Sequence, residues 1–213
     1  AYRGPAANEV PALMSEVAAW LREGDLDCPA VVRAAMAHLH VVSVHPFRDG
    51  NGRISRIVQS MVLAREGLLA PEFGSIEEWL GEHTNEYYAA LAARGAEYDP
   101  SSDANSWVQF CIQAHIEQAE RRLLQVDAAA RRWAALEGLV QQRGWPDRLV
   151  IALERALTGY LDRAGYVMEA GISEPTATLD FRRLVDAGLV VTEGRGRMTR
   201  YVASQGLSEL VQA

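Results

Sequence analysis

The chain contains no lysine: all 21 of its basic residues are arginine. With alanine abundant, this reads as a trait of genome composition rather than of mechanism. Cysteine is scarce as well. Cys28 and Cys111 stand far apart and match no metal-ligand spacing, which excludes a disulfide framework and leaves reduced, partly buried thiols as the expectation. No apolar run approaches the ~20 residues that span a bilayer. The opening Ala1-Tyr2-Arg3-Gly4-Pro5 lacks the charged-then-apolar pattern of a signal peptide, so no membrane and a cytoplasmic location are expected. The first residue is Ala rather than Met, as in a fragment of a longer protein. A strongly basic domain is missing too. Residues 1–143 hold 13 Arg against 19 acids, and residues 144–213 hold 8 against 9, within a net charge of −7. Neither half attracts nucleic acid through net charge alone. What is present is ordinary globular material, 49% hydrophobic and 23% charged.

Helical periodicity organises the first two-thirds. Asn8 is placed to cap a helix with Leu13, Met14, Val17, Trp20 and Leu21 on one stripe, ending at Gly24. Asp27 and Pro29 open a second helix whose inward stripe is Val31, Val32, Ala35, Met36 and Leu39; Pro46 forbids its continuation past about Val44. Ile54, Ile57, Val58, Met61 and Val62 predict the inward face of a third, ending near Gly67. Ser75 opens a further helical stretch through Tyr87, Tyr88 and Leu91, and a long one runs from about Asp103 to Arg143. The fold class is therefore mainly α. Gly144-Trp145-Pro146 marks a boundary, giving domains 1–143 and 144–213. Beyond it, helices are expected near 147–157 and 161–170, then a turn and cap at Gly171-Ile172-Ser173 before a third. Leu189–Thr192 and Thr199–Val202 flank Gly194-Arg195-Gly196-Arg197 as a hairpin. Three helices and a terminal hairpin describe a winged helix-turn-helix.

The chemistry concentrates in His45-Pro46-Phe47-Arg48-Asp49-Gly50-Asn51-Gly52-Arg53-Ile54-Ser55-Arg56. Gly50 and Gly52 let backbone approach a ligand closely, and a helix begins there, presenting unpaired N–H groups to an anion. Arg53 and Arg56 share one face of the first turn, and two guanidiniums over such a nest suit a polyphosphate. Asp49 would repel that polyphosphate unless Mg²⁺ lay between them. His45 is placed to accept a proton from an incoming hydroxyl. Phe47 is expected to insert into the core and pin the loop. Each residue also has a plainer role: His45 as a helix-end partner, Asp49 as an N-cap, the glycines as turn formers, the arginines in local ion pairs. None of these explains the convergence of all of them in one short string.

That string resembles the signature of the Fic family, His-x-Phe-x-Asp/Glu-Gly-Asn-Gly-Arg-x-x-Arg, at every fixed position, and the resemblance extends over roughly residues 1–140 through Ala37-His38, Tyr87-Tyr88 and a helix with Trp107. The resemblance implies an all-helical core that moves AMP from ATP to a Ser, Thr or Tyr hydroxyl of a protein target, releasing pyrophosphate. It implies His45 as general base, Asp49 as the holder of Mg²⁺, and Gly50, Asn51 and Gly52 as the anion nest. Arg53 and Arg56 would clamp the β- and γ-phosphates. Tyr87 or Tyr88 would line the base pocket unless each simply packs in the core. The phosphate-transferring, Doc-like branch typically carries Lys where this chain has Gly52, which favours nucleotide transfer. Two family parts are not found here. Ser/Thr-x-x-x-Glu, whose Glu would pair with Arg56, does not occur in the chain. Ala1–Pro5 resemble the segment that follows the target-docking flap, so inhibition is expected from residues before Ala1 or from an antitoxin-like partner.

Residues 144–213 resemble the winged-helix modules often joined to such proteins. Ser173–Ala187 would be the recognition helix, with Arg182 and Arg183 on it and Arg195, Arg197 and Arg200 on the wing contacting DNA phosphates. Glu174 and Asp180 on the same helix weigh against DNA and leave a protein-contact or structural role open. The alternative to an adenylyltransferase is a DNA-binding regulator that senses nucleotide without turnover. A homodimer is also an expected assembly.

Overall fold

The computed structural model describes residues 2–68, 75–194, 196 and 199–212. Packing divides the chain into two compact units, Ala1–Leu123 and Leu124–Ala213, with the boundary inside a long helix and ahead of the Gly144 break. Among the described residues no helix is long and apolar enough to cross a membrane.

The first unit is built from α1 (Val10–Glu23), α2 (Ala30–Val44), α3 (Asn51–Arg65), α4 (Glu77–Glu82), α5 (Thr84–Ala92) and the first part of α6 (Asn105–Gln142). α1 is not capped by Asn8. Glu9 is the N-cap, its carboxylate accepting from the Ala6 N–H at 3.1 Å, and a proline fills the first turn, where a missing N–H is harmless. Pro29 precedes α2, and Pro46 follows its end as the sequence requires. α3 departs most from expectation. Its buried residues are Asn51, Ser55, Gln59, Val62 and Leu63, while Ile54, Ile57 and Met61 are exposed. Asn51 causes this. Its side chain accepts from the Phe47 N–H at 2.9 Å and donates to the Phe47 carbonyl at 2.6 Å, which points it into the protein. Residues four and eight further on must then follow it inward. Ser55 is satisfied by donating to the Asn51 carbonyl at 2.7 Å. The stretch after Ser75 splits at His83 into α4 and α5. A short parallel bridge joins Arg3 to Glu97, with Arg3 N–H donating to Ala96 and Tyr98 N–H to Arg3.

The second unit contains the end of α6, then α7 (Arg148–Thr158), α8 (Arg163–Ala170), α9 (Glu174–Asp186), strands β1 (Val190–Glu193) and β2 (Arg200–Ala203), and α10 (Gln205–Gln212). α6 stops in a Schellman motif: Gly144 sits at φ 63° and donates to Gln141, and Trp145 donates to Val140. Asp162 caps α8 by accepting from Gly165 N–H, and Ser173 caps α9 by accepting from Thr176 N–H. Leu161 is not helical; it exchanges two backbone hydrogen bonds with Tyr201. β1 and β2 pair antiparallel, Val190 opposite Ala203 and Glu193 opposite Arg200. α10, absent from the sequence reading, buries Leu207 completely. Leu136, Val140, Leu149, Leu153, Leu161, Tyr166, Phe181, Leu184 and Leu207 join in one apolar cluster.

Candidate functional site

His45 terminates α2 in a left-handed conformation, φ 53° and ψ 53°, rare for a residue with a side chain. The following proline excludes a further helical turn, and the reversed backbone turns the ring outward. Its Nδ1 lies 3.3 Å from the Val42 carbonyl. A carbonyl only accepts, so the neutral tautomer that makes this contact is the one with its proton on Nδ1 and Nε2 bare. The loop that follows is tied by the two Asn51 bonds to the Phe47 backbone. The Phe47 ring itself is half exposed, so the loop's anchor is its backbone and not an aromatic plug in the core.

Gly50, at φ 88°, is the turn into α3. A Cβ there would also lie 3.4 Å from an Arg53 Nη atom, and one on Gly52 would lie 3.7 Å from the Tyr87 hydroxyl. Asp49 accepts from the Gly50 N–H at 2.7 Å through Oδ1 and from Arg53 Nη2 at 3.0 Å through Oδ2. Both partners of that ion pair are well exposed, so a stronger anion or cation can separate them at little cost. Arg56 Nε donates to the Gly52 carbonyl at 3.2 Å, and the residue lines the cleft.

These groups share one cleft of about 660 Å³. His45, Asp49, Gly50, Asn51, Gly52, Arg53 and Arg56 line it from the α2–α3 loop and α3, and Tyr87, Tyr88 and Leu91 line it from α5. Tyr87 is buried, with its hydroxyl close to Gly52, and Tyr88 is exposed, so α5 contributes one fixed and one open ring. Asp49 is the carboxylate of the glycine turn, Glu97 and Asp99 also line the cleft, and among the described residues no cluster of three or more acidic, His or Cys side chains forms a ready-made metal cage. One carboxylate suits Mg²⁺, which takes its other ligands from phosphates and water.

The cleft also includes Tyr2 and Arg94, which no pattern in the sequence marks. The Tyr2 hydroxyl donates to the Ser43 carbonyl at 2.8 Å, and its ring centre lies 6.1 Å from that of His45. Arg94 donates to Ser43 Oγ at 3.1 Å and to the Ser102 carbonyl at 3.0 Å, pinning the loop after α5 to α2. A solitary arginine in an Ala-rich stretch carries no signal of that role.

In the second unit Arg182 and Arg183 are exposed on α9. Asp180 does not share their face: it is buried, accepting from Arg148 Nε and Nη2 at 2.8 and 3.0 Å and from the Tyr166 hydroxyl at 3.0 Å. Arg200 lies over the Tyr160 ring at 4.0 Å. Arg195 and Arg197 fall outside the described residues.

Residues 1–63 match the Fic/DOC family model. Protein adenylyltransferase fic-1 of Caenorhabditis elegans is 37% identical over 79 residues, 37% of this chain and 14% of the relative. Protein adenylyltransferase Fic of Culex quinquefasciatus is 42% identical over 64 residues, 30% and 13% of the two chains. A probable protein adenylyltransferase of Aquifex aeolicus is 32% identical over 107 residues, 47% and 33%. The chain thus spans a third or less of these relatives. A crystal structure of a Fic family protein from Desulfovibrio desulfuricans G20 superposes with a TM-score of 0.53 at 25% identity, over 95% of this chain and 57% of that one. The motif-bearing end of this chain is therefore matched by the Fic family in sequence, and its mainly helical fold has a Fic family neighbour.

Proposed function

We propose that this protein is an adenylyltransferase that moves AMP from ATP to a Ser, Thr or Tyr hydroxyl of a protein target. His45 Nε2 takes the hydroxyl proton as that oxygen bonds to the α-phosphorus. The bond from the α-phosphorus to the bridging oxygen breaks, and pyrophosphate leaves. The backbone N–H groups at Gly50–Gly52 and the Arg53 and Arg56 guanidiniums hold the phosphates against the α3 N-terminus. Asp49 would hold Mg²⁺, which supplies charge neutralisation across the phosphates when bound. The observation that carries this reading is the His45 geometry: Nδ1 lies 3.3 Å from the Val42 carbonyl, a contact that suits the Nδ1–H tautomer, whose bare Nε2 would serve as a base beside the Gly50–Gly52 turn. A binding protein has no need of that arrangement. Gly52, where phosphate-transferring relatives of the family carry Lys, favours AMP over phosphate as the group moved.

The second unit fits a winged helix-turn-helix, with α9 as recognition helix and the β1–β2 hairpin as wing. The withdrawal of Asp180 into the core leaves Arg182 and Arg183 facing solvent with less opposing charge than the sequence suggests, which supports a DNA-contacting role. A carboxylate brought by another segment or a separate partner would compete with the γ-phosphate for Arg56.

The test is incubation with a proteome and ATP labelled at either the α- or the γ-phosphate. Protein labelled from α alone is the expected outcome. Label from γ alone would make the protein a phosphotransferase, and label from neither would favour a nucleotide-sensing DNA-binding regulator.

A further inference from the structure

Beneath the cleft, four side chains from four helices form a hydrogen-bonded row that the transfer step does not use. His38 on α2 is completely buried, with Nδ1 2.7 Å from Gln59 Oε1 on α3 and Nε2 3.1 Å from the Tyr87 hydroxyl on α5. Gln59 Nε2 continues the row to His115 Nε2 on α6 at 3.3 Å. The direction of each bond follows from what each atom can do. An amide oxygen only accepts, so His38 Nδ1 carries the ring proton. A neutral imidazole has one N–H, so Nε2 is bare and the Tyr87 hydroxyl must donate to it. Burial, aided by the nearby Arg56 charge and opposed by the Gln59 hydrogen bond, holds the His38 pKa down to about 4, so the ring is neutral at physiological pH.

The consequence reaches the cleft. Tyr87 has one hydroxyl proton, and His38 takes it. The same oxygen lies 3.7 Å from where a Gly52 Cβ would stand, on the wall that Gly52 and Arg56 share. Only lone pairs remain on that side. We propose that His38 is a positioning residue that, with Gln59, fixes the Tyr87 hydroxyl as a hydrogen-bond acceptor beside Gly52, selecting ligands that offer a hydroxyl or amino donor there. The inference rests on the nucleotide reading of the cleft and adds a recognition element to it.

Two measurements test it. In protein labelled with ¹⁵N-histidine, two-bond ¹⁵N–¹H correlations should show the His38 ring as the Nδ1–H tautomer, neutral from pH 5 to pH 8. An Nε2–H tautomer, or titration near the ordinary value, overturns the assignment, and this readout needs no nucleotide. In calorimetric ATP titrations, His38→Phe and Tyr87→Phe should each weaken binding roughly three- to tenfold, the scale of one net hydrogen bond. In turnover assays KM should move more than kcat. The double variant should be no weaker than the weaker single one, and His38→Gln, which can offer Tyr87 an amide oxygen, should recover most of the loss. If both single variants lower the melting temperature but bind ATP like the parent, the row is structural and the proposal fails while the nucleotide reading stands. If the parent protein binds no nucleotide, both fail together.

Discussion

The two units bury different kinds of matter. The Leu124–Ala213 unit closes on one continuous apolar cluster, interrupted by a single buried acid, Asp180, which a bidentate arginine and a tyrosine hydroxyl satisfy. Among its described residues the Ala1–Leu123 unit divides its buried apolar side chains into three smaller clusters and buries Arg33, His38, Asn51, Ser55, Gln59 and Gln118. Three of these lie on one face of α3, directly behind the arginines that face the cleft. Polar burial of this kind costs stability unless every group is paired. Its return is geometry. Asn51 fixes the loop, Ser55 and Gln59 fix the rotation of α3, and His38 fixes Tyr87. One unit is packed for stability and the other is hydrogen-bonded for position.

Four experiments would break or sharpen that contrast, taken from the largest expected effect downward. His45→Ala should reduce AMP transfer by roughly 10²–10⁴-fold while leaving ATP affinity near the parent value, because a base acts on the attacking hydroxyl; transfer kinetics beside calorimetry measure both. Phe181→Ala, in the apolar core of the second unit, should cost about 3–5 kcal/mol in denaturant unfolding. An equally large loss of ATP affinity would contradict the division of labour.

The third experiment is acidification. Burial lowers the His38 pKa from 6.5 to about 4 and lowers those of His40 and His115 in the same direction. A depressed native pKa gives stability that is complete above the unfolded value and is lost as pH falls toward the native one. Melting temperature should therefore drop between about pH 6.5 and pH 4. The His38 share is on the order of 3 kcal/mol, and His38→Gln should flatten that slope. Last, Asn51→Ala should cost about 1–3 kcal/mol by orphaning the Phe47 N–H and carbonyl, and should weaken ATP binding with it; thermal melts and calorimetry read the two losses.

The sequence made the chemistry more legible than the packing. His45, Asp49, Gly50, Asn51, Gly52, Arg53 and Arg56 line one cleft, because a loop between two helices brings them together by chain continuity alone. The inward face of α3 was misread for a physical reason. Ile54, Ile57 and Met61 have helical spacing and the higher hydrophobicity, but the Asn51 bonds to Phe47 hold the opposite face of the helix inward. Phe47 was misread in the same way, its backbone doing what its ring was expected to do. Arg94, Tyr2 and the His38 row were invisible because each depends on partners more than 40 residues away or on no pattern at all. In the second unit α7, α8, α9 and the hairpin followed from caps and turn residues, but α10 did not, and Asp180 became a core residue only once Arg148 and Tyr166 were placed beside it.

The central claim is that the Gly50–Arg56 turn is a polyphosphate site held in place by a polar core. Calorimetric titration of the protein with ATP and Mg²⁺, repeated on Arg53→Ala, tests it most directly. The account predicts measurable binding that weakens at least tenfold in the variant, since a charge-assisted contact contributes about 1.5–3 kcal/mol. Equal affinity in the two proteins, or none in the parent, would contradict it.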